Sequence, residues 1–109
     1  ARAQAIQEAS KKTALVPLET LKACSDLVRL AGQAVAHGNP NAVTDAGTAA
    51  LLAEAAGWGA AYNVSINLSG VEDQTFVARC CREVQSALEE IGTRAREIRE
   101  KLRKDLEMA

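Results

Sequence analysis

Two asparagines, Asn63 and Asn67, have the residue type and the spacing to bind a planar ligand. Side chains four residues apart share one face of a helix. Each amide offers an acceptor oxygen and two N–H donors, so the pair can bind the hydrogen-bonding edge of a heterocycle. Tyr62 adjoins Asn63 and is predicted to line the same site. The alternative is structural, with the amides capping backbone groups or bonding to a neighbouring helix.

A second set of candidates surrounds the turn that begins at His37. Asp45 and Asn39 are predicted to contact a ligand. Each has an ordinary alternative, because the helix dipole favours a first-turn carboxylate by about 0.3–1 kcal/mol and asparagine is common in turns. Glu54 lies in an apolar stretch and is predicted to be paired or to extend towards solvent. His37 has no acidic partner nearby in the sequence, so the catalytic residue is unknown.

The sequence lacks the residues that several other kinds of site require. There is no phosphate-binding glycine loop or nucleophile elbow, and one histidine without a Cys-x-x-Cys pair excludes a metal site of the usual kind. Cys24, Cys80 and Cys81 are an odd number, so we predict buried free thiols in the reducing cytoplasm. A net charge of −1 argues against nucleic-acid binding, and the short apolar stretches argue against a membrane span.

The elements that would position these residues are all helical. Apolar spacing predicts helices over about residues 2–36, 44–67 and 73–106, with Asp73 capping the third. Pro17 predicts either a kink or a break in the first helix. Gly38 is predicted to end that helix with a positive φ. We therefore expect an all-α antiparallel bundle of long helices, with residues 1–109 forming a single domain.

The apolar surfaces of these helices exceed what three helices can cover. Alanine and glycine crowd the second helix, which is predicted to be buried on most sides. The third helix carries a predicted heptad seam. Its members are Val77, Cys81, Val84, Leu88, Ile91, Ala95, Ile98 and Leu102. We expect self-association, or pairing with a complementary N-terminal half, to complete the bundle.

Three segments in this order resemble the formiminotransferase-cyclodeaminase family, specifically its cyclodeaminase domain. They are Val16-Pro17-Leu18, the turn from Gly38 to Gly47, and Gly59-Ala60-Ala61-Tyr62-Asn63-Val64-Ser65-Ile66-Asn67-Leu68. The last segment is the most specific, and the resemblance covers roughly residues 5–95. The family includes bacterial cyclodeaminases and methenyltetrahydrofolate cyclohydrolases.

The resemblance implies a cytoplasmic, homodimeric helical protein of folate one-carbon metabolism. Its substrate would be a tetrahydrofolate derivative, with no covalently bound cofactor. A cyclodeaminase closes 5-formiminotetrahydrofolate to the 5,10-methenyl form, and a cyclohydrolase opens that form to 10-formyltetrahydrofolate. Asp45, Asn63 and Asn67 match the family pattern as pocket residues, with the two asparagines on the pterin edge.

One departure from the family qualifies this prediction. The family's glycine-rich stretch and its proposed acidic base lie in the first half of the domain, before the segments matched here. The chain is therefore expected to be the C-terminal half of such a domain, truncated or split, and inactive alone. The alternative is a non-catalytic helical module for ligand binding or oligomerisation.

Overall fold

The computed structural model describes residues 1–108 and folds them into three helices. They are α1 (Arg2–His37), α2 (Val43–Leu68) and α3 (Gln74–Asp105). α2 returns antiparallel to α1, and α3 runs back alongside both in a bundle of 61 × 19 × 18 Å. Residues 1–108 contain no strand, which confirms the all-α prediction. None of the helices within this range is long and apolar enough to span a membrane.

α1 continues through Pro17 as one helix, so the chain does not break at the proline, which was one of the two predicted forms. A proline inside a helix has no N–H for the carbonyl four residues earlier, here that of Thr13. α1 nevertheless continues for five further turns, because Leu18, Leu21 and Val28 pack into the core on the far side of the proline. The carbonyl of Thr13 must find another donor, and the site described below supplies it.

The turn between α1 and α2 differs from its prediction at Gly38. Its backbone is extended, at φ −83° and ψ 167°, so the predicted positive φ is wrong. A Cβ at this position would collide with the carbonyl oxygen of Ala34, so the close approach of the backbone explains the glycine. The turn is instead closed by Ala42 N, which donates to Asn39 O at 2.8 Å.

The connection from α2 to α3 is fastened to the start of α1. Gln7 donates to Gly70 O at 3.1 Å and accepts from Glu72 N at 2.9 Å. Asp73 accepts from Phe76 N at 3.1 Å, which confirms it as the N-cap of α3. Lys11 donates to the same carboxylate at 3.0 Å, and this bond together with the cap holds the pKa of Asp73 below its ordinary value.

The buried face of α3 is shifted from the predicted seam in its first half. Its buried residues are Phe76, Cys80, Ala87, Ile91, Ala95 and Ile98. Val77, Val84 and Leu88 are only half-buried and Cys81 is exposed. The predicted seam assumed one partner helix, whereas α3 contacts both α1 and α2 and buries the positions that point between them. From Ile91 to Ile98 the buried positions are those of the predicted seam, and Leu102 is half-buried.

This rotation also decides the state of the cysteines. Cys24 and Cys80 are buried free thiols, and burial raises the pKa of each. Cys81 is exposed, so the prediction that all three are buried is wrong for this residue. Adjacent positions on a helix point about 100° apart, and on α3 this places Cys80 in the core while Cys81 faces solvent.

The small residues of α2 permit close packing on one side only. Gly47, Ala50, Ala53, Gly57, Ala60, Ala61 and Val64 are buried. On the opposite side Leu52 and Ile66 are 67% and 70% exposed, so α2 is not buried on most sides within this chain. The prediction followed from the apolar character of α2 all round, but two neighbouring helices cover only part of its surface.

Gly57 lies at one of the tight contacts of this buried face and allows a direct test. A Cβ there would lie 2.9 Å from Ile91 Cδ1 and 3.5 Å from Cys24 Cβ. We expect Gly57→Ala to destabilise the fold by about 1–3 kcal/mol through overpacking. Gly92→Ala is the control, since a Cβ there meets no atom within 4 Å, and it should stabilise by about 0.5–1 kcal/mol. Urea unfolding measures both, and equal stabilisation of the two variants would contradict the packing.

Candidate functional site

A groove between α1 and α2 contains both asparagines and is the candidate functional site. It encloses about 690 Å³ and opens to solvent. None of its lining residues belongs to α3. They are Thr13, Val16, Pro17 and Thr20 of α1, and Ala56, Gly59, Ala60, Asn63 and Asn67 of α2.

Asn67 bridges the two walls of this groove. Its Nδ2 donates to the backbone carbonyl of Thr13 at 3.2 Å. That carbonyl is the one deprived of its helical donor by Pro17. A carbonyl can only accept, so the amide atom facing it must be the nitrogen. One Asn67 N–H thus serves the neighbouring helix, as the structural alternative predicted, while within residues 1–108 its Oδ1 accepts no hydrogen bond.

Asn63 lies one turn earlier on the same face of α2 and is exposed. Its side chain makes no hydrogen bond to any residue in the described range 1–108. Tyr62 adjoins it but does not line the groove, and its ring centroid lies 6.2 Å from that of Trp58. The structure therefore brings Asn63 and Asn67 together and leaves Tyr62 beside the groove.

The polar atoms of the groove are mostly acceptors. Thr13 Oγ1 donates to Ala9 O at 2.9 Å and Thr20 Oγ1 donates to Val16 O at 3.3 Å. Both hydroxyl protons are thus used within α1, and only lone pairs remain for a ligand. The free donors are the amide of Asn63 and the second N–H of Asn67. No lining side chain is ionisable, so the groove can hold a polar heterocycle but offers it no general base.

Asp45 and Asn39 lie at the other end of α2. Eighteen residues separate Asp45 from Asn63, which corresponds to about 27 Å along a helix axis. Asp45 is exposed in the first turn of α2. Asn39 Oδ1 accepts from Asn41 N at 2.9 Å, as an ordinary turn residue does. Within one chain neither residue reaches the groove.

The remaining polar candidates have no ligand-binding geometry. Glu54 pairs with Arg99 at 2.8 Å, which confirms that it is a paired carboxylate. His37 is exposed at the end of α1. Within residues 1–108 no three side chains of the histidine, cysteine, aspartate and glutamate types gather as metal ligands.

A second cavity, of about 350 Å³, lies between α2 and α3 at the end of the bundle that contains Asp45. Its walls are largely apolar and include Gly47, Leu51 and Leu102, with Arg99 and Arg103 among its lining residues. No pattern in the sequence predicts this cavity. Pro17 and Thr13 were also not among the predicted site residues, although a proline in the middle of a helix leaves a carbonyl that a neighbouring amide can satisfy.

Comparisons with known proteins identify related sequences. A family model described as formiminotransferase-cyclodeaminase matches residues 1–86, a range that contains the whole groove. A methenyltetrahydrofolate cyclohydrolase of Methylorubrum extorquens is 39% identical over 92 residues, covering 84% of this chain and 44% of the relative. Formimidoyltransferase-cyclodeaminases of Mus musculus and Sus scrofa are 36% and 32% identical, covering 86% and 93% of this chain but 17% and 19% of the relatives. The chain thus spans less than half the length of these relatives.

Proposed function

The chain belongs to the formiminotransferase-cyclodeaminase family, and we propose that its groove between α1 and α2 binds 5,10-methenyltetrahydrofolate. This adduct is common to both activities named among the relatives, because a cyclohydrolase consumes it and a cyclodeaminase forms it. The observation that carries the proposal is the pair of amide side chains, Asn63 and Asn67, which keep hydrogen-bonding atoms free for a ligand in a groove inside the matched range. Hydrolytic ring opening is the leading reaction, since the cyclohydrolase relative is 39% identical to this chain against 36% for the mouse protein.

The hydrogen-bonding edge of a reduced pterin fits the polar atoms of the groove. Its 2-amino group and N3–H are donors, and its 4-oxo group is an acceptor. Asn67 Oδ1 can accept from the donors, while the amide of Asn63 can donate to the 4-oxo group. Val16, Pro17 and Gly59 offer the apolar walls that a planar ring needs.

The chemistry needs one group that the groove lacks. In hydrolysis, water adds to the bridging carbon and the bond from that carbon to N5 breaks. One water proton ends on N5, and the other leaves. A proton acceptor must lie beside the attacking water. Since no lining residue of the groove is ionisable, we propose that another chain supplies this acceptor and that the single chain binds without turnover.

We propose that a second copy of the chain covers the outer face, defined as Val16, Leu27, Leu30, Leu52 and Ile66. These residues are between 52% and 70% exposed. No charged side chain lies in the two helix rows to which these residues belong. The rows are residues 16, 20, 23, 27, 30 and 34 of α1 and residues 52, 56, 59, 63 and 66 of α2. An uncharged apolar surface is compatible with itself, which is what a two-fold interface requires. A complementary N-terminal half is the alternative occupant.

This proposed pairing would give a binding role to three further residues, Asp45, Asn39 and Tyr62. A two-fold axis that crosses α2 near its middle would bring the first turn of one α2 towards the groove of the other copy. Asp45 and Asn39 would then contact a folate bound by the partner, and Tyr62 would lie at the edge between them. The free thiols of Cys24, Cys80 and Cys81 fit a reducing compartment such as the cytoplasm.

Thermal unfolding in the presence of 5,10-methenyltetrahydrofolate tests the proposed function. A ligand that binds only the folded state raises the Tm by mass action. The absorbance of the methenyl ring, followed in the same sample, separates binding from turnover. A Tm shift supports the proposed folate site, and turnover in the same sample would indicate that a second copy of the chain supplies the proton acceptor. No shift with any reduced folate would contradict it and favour a purely structural helical module.

The groove itself is tested by Gly59→Ala. A Cβ at Gly59 meets no atom within 4 Å, so the methyl group would extend into the open groove. We expect the Tm of the free protein to rise, because alanine favours a helix over glycine by about 1 kcal/mol. Affinity for 5,10-methenyltetrahydrofolate should fall, by roughly tenfold for a loss of about 1.4 kcal/mol.

Gly92→Ala is the matched control for this measurement. It also adds a methyl group in open space, but on α3 and away from the groove. It should raise the Tm and leave folate affinity unchanged. Unchanged affinity in Gly59→Ala, or an equal loss in both variants, would place the ligand elsewhere.

A further inference from the structure

We infer that Pro17 is a positioning residue for the folate site, because it frees the Thr13 carbonyl that orients the amide of Asn67. The inference rests on the proposed function and adds a specific role for the proline. Pro17 lines the groove, and so do the two residues it connects. No other proline lies inside a helix of residues 1–108.

The first step is the hydrogen bond that proline removes. In a regular helix the N–H of residue 17 would donate to the carbonyl of residue 13. With proline at this position that donor is missing, and Asn67 Nδ2 takes its place at 3.2 Å. The replacement comes from α2, so a backbone bond within one helix becomes a contact between two helices.

The second step is the orientation that this contact imposes. A primary amide is planar, with its oxygen and nitrogen on opposite sides of the carbon. Rotating the amide by half a turn would place Oδ1 against the carbonyl oxygen of Thr13, and two acceptors repel. The contact therefore keeps Oδ1 directed away from Thr13, and within residues 1–108 no protein group donates to it. Asn67 thus presents an acceptor, which selects a ligand with N–H donors on that edge.

The test is Pro17→Ala in the full chain, with folate binding and stability measured separately. Alanine restores the backbone N–H, so the helix gains its missing bond and the Tm should rise by about 4–8 °C for each 1 kcal/mol gained. The released amide of Asn67 can then rotate, so affinity for 5,10-methenyltetrahydrofolate should fall by about three- to tenfold. A merely structural role for Pro17 would not give opposite signs for stability and affinity. Pro40→Ala, in the turn after α1, is the control and should leave affinity unchanged.

A double-mutant cycle tests the link between Pro17 and Asn67 without any ligand. In the unchanged background Asn67→Ala removes the protein donor of the Thr13 carbonyl and leaves that carbonyl to solvent in the open groove, so it should lower the Tm measurably. In the Pro17→Ala background the carbonyl already has a donor, so the same substitution should lower the Tm much less. Equal losses in the two backgrounds would overturn the inference.

Failure of the inference and failure of the proposed function give different results. If the unchanged chain binds 5,10-methenyltetrahydrofolate and Pro17→Ala binds it equally well, the positioning role is wrong and the folate site stands. If the unchanged chain binds no reduced folate, the folate site is wrong, and any role of Pro17 in binding is wrong with it.

Discussion

Replacing Asn63 with leucine is expected to weaken binding of 5,10-methenyltetrahydrofolate by about 10- to 100-fold and to leave the Tm of the free protein nearly unchanged. Asn63 is exposed, and within residues 1–108 its amide bonds to no protein group, so the fold loses nothing when the amide is removed. A bound pterin, in contrast, would face leucine with an unpaired polar edge. Leaving a desolvated polar group unpaired costs about 1–3 kcal/mol.

Ser65→Leu is the control for this substitution. Ser65 is also exposed on α2, two residues further along, and does not line the groove. Isothermal titration of both variants separates a local loss from a general effect of an added leucine. Equal affinities in Asn63→Leu and the unchanged protein would remove Asn63 from the site.

Much of this architecture could be predicted because local signals agree with the tertiary fold. Asp73 precedes an apolar run and caps α3, as its side chain favours. The three helices begin and end within two residues of the predicted limits. Long amphipathic segments without alternating patterns leave no other choice of element.

The errors arise where two helices compete to cover a third. The heptad pattern of α3 placed Cys81 in the seam and left out Cys80, whereas packing against both α1 and α2 buries Cys80 and exposes Cys81. At Gly38 the glycine correctly indicated a special backbone position at the end of α1. The reason, a clash of any Cβ with the carbonyl oxygen of Ala34, depends on how the turn closes and could not be predicted. Neither effect has a signature in periodicity.

The candidate site, too, could be predicted only in part. The spacing of Asn63 and Asn67 predicts a shared face, and the groove confirms that they share one. That Asn67 reaches the carbonyl freed by Pro17 could not be predicted, because it depends on the antiparallel register of α1 and α2. Asp45 lies in the first turn of α2, at the opposite end from Asn63 and Asn67, so its proposed role requires a second chain.

The outer face is continuous with the groove, because Val16 belongs to both. The contact of Thr13 with Asn67 fixes the antiparallel register of α1 and α2. Moving 14 residues along each helix from this pair brings Leu27 alongside residue 53, and so next to Leu52. Both leucines are more than half exposed, at 55% and 67%. An apolar patch continuous with a groove that lacks an acid or base is suited to a partner that covers both.

Leu52→Glu is expected to raise the dissociation constant of the dimer by more than about 100-fold. An isologous interface contains each residue twice, so one substitution buries two unpaired carboxylates, each at a cost of several kcal/mol. Leu51→Glu is the matched control, because the neighbouring side chain lines the cavity between α2 and α3, where Arg99 and Arg103 can pair with a carboxylate. Size-exclusion chromatography with light scattering over a range of concentrations should find Leu52→Glu monomeric and Leu51→Glu dimeric. A monomeric unchanged protein, or equal dissociation of both variants, would mean that a second copy does not cover the outer face.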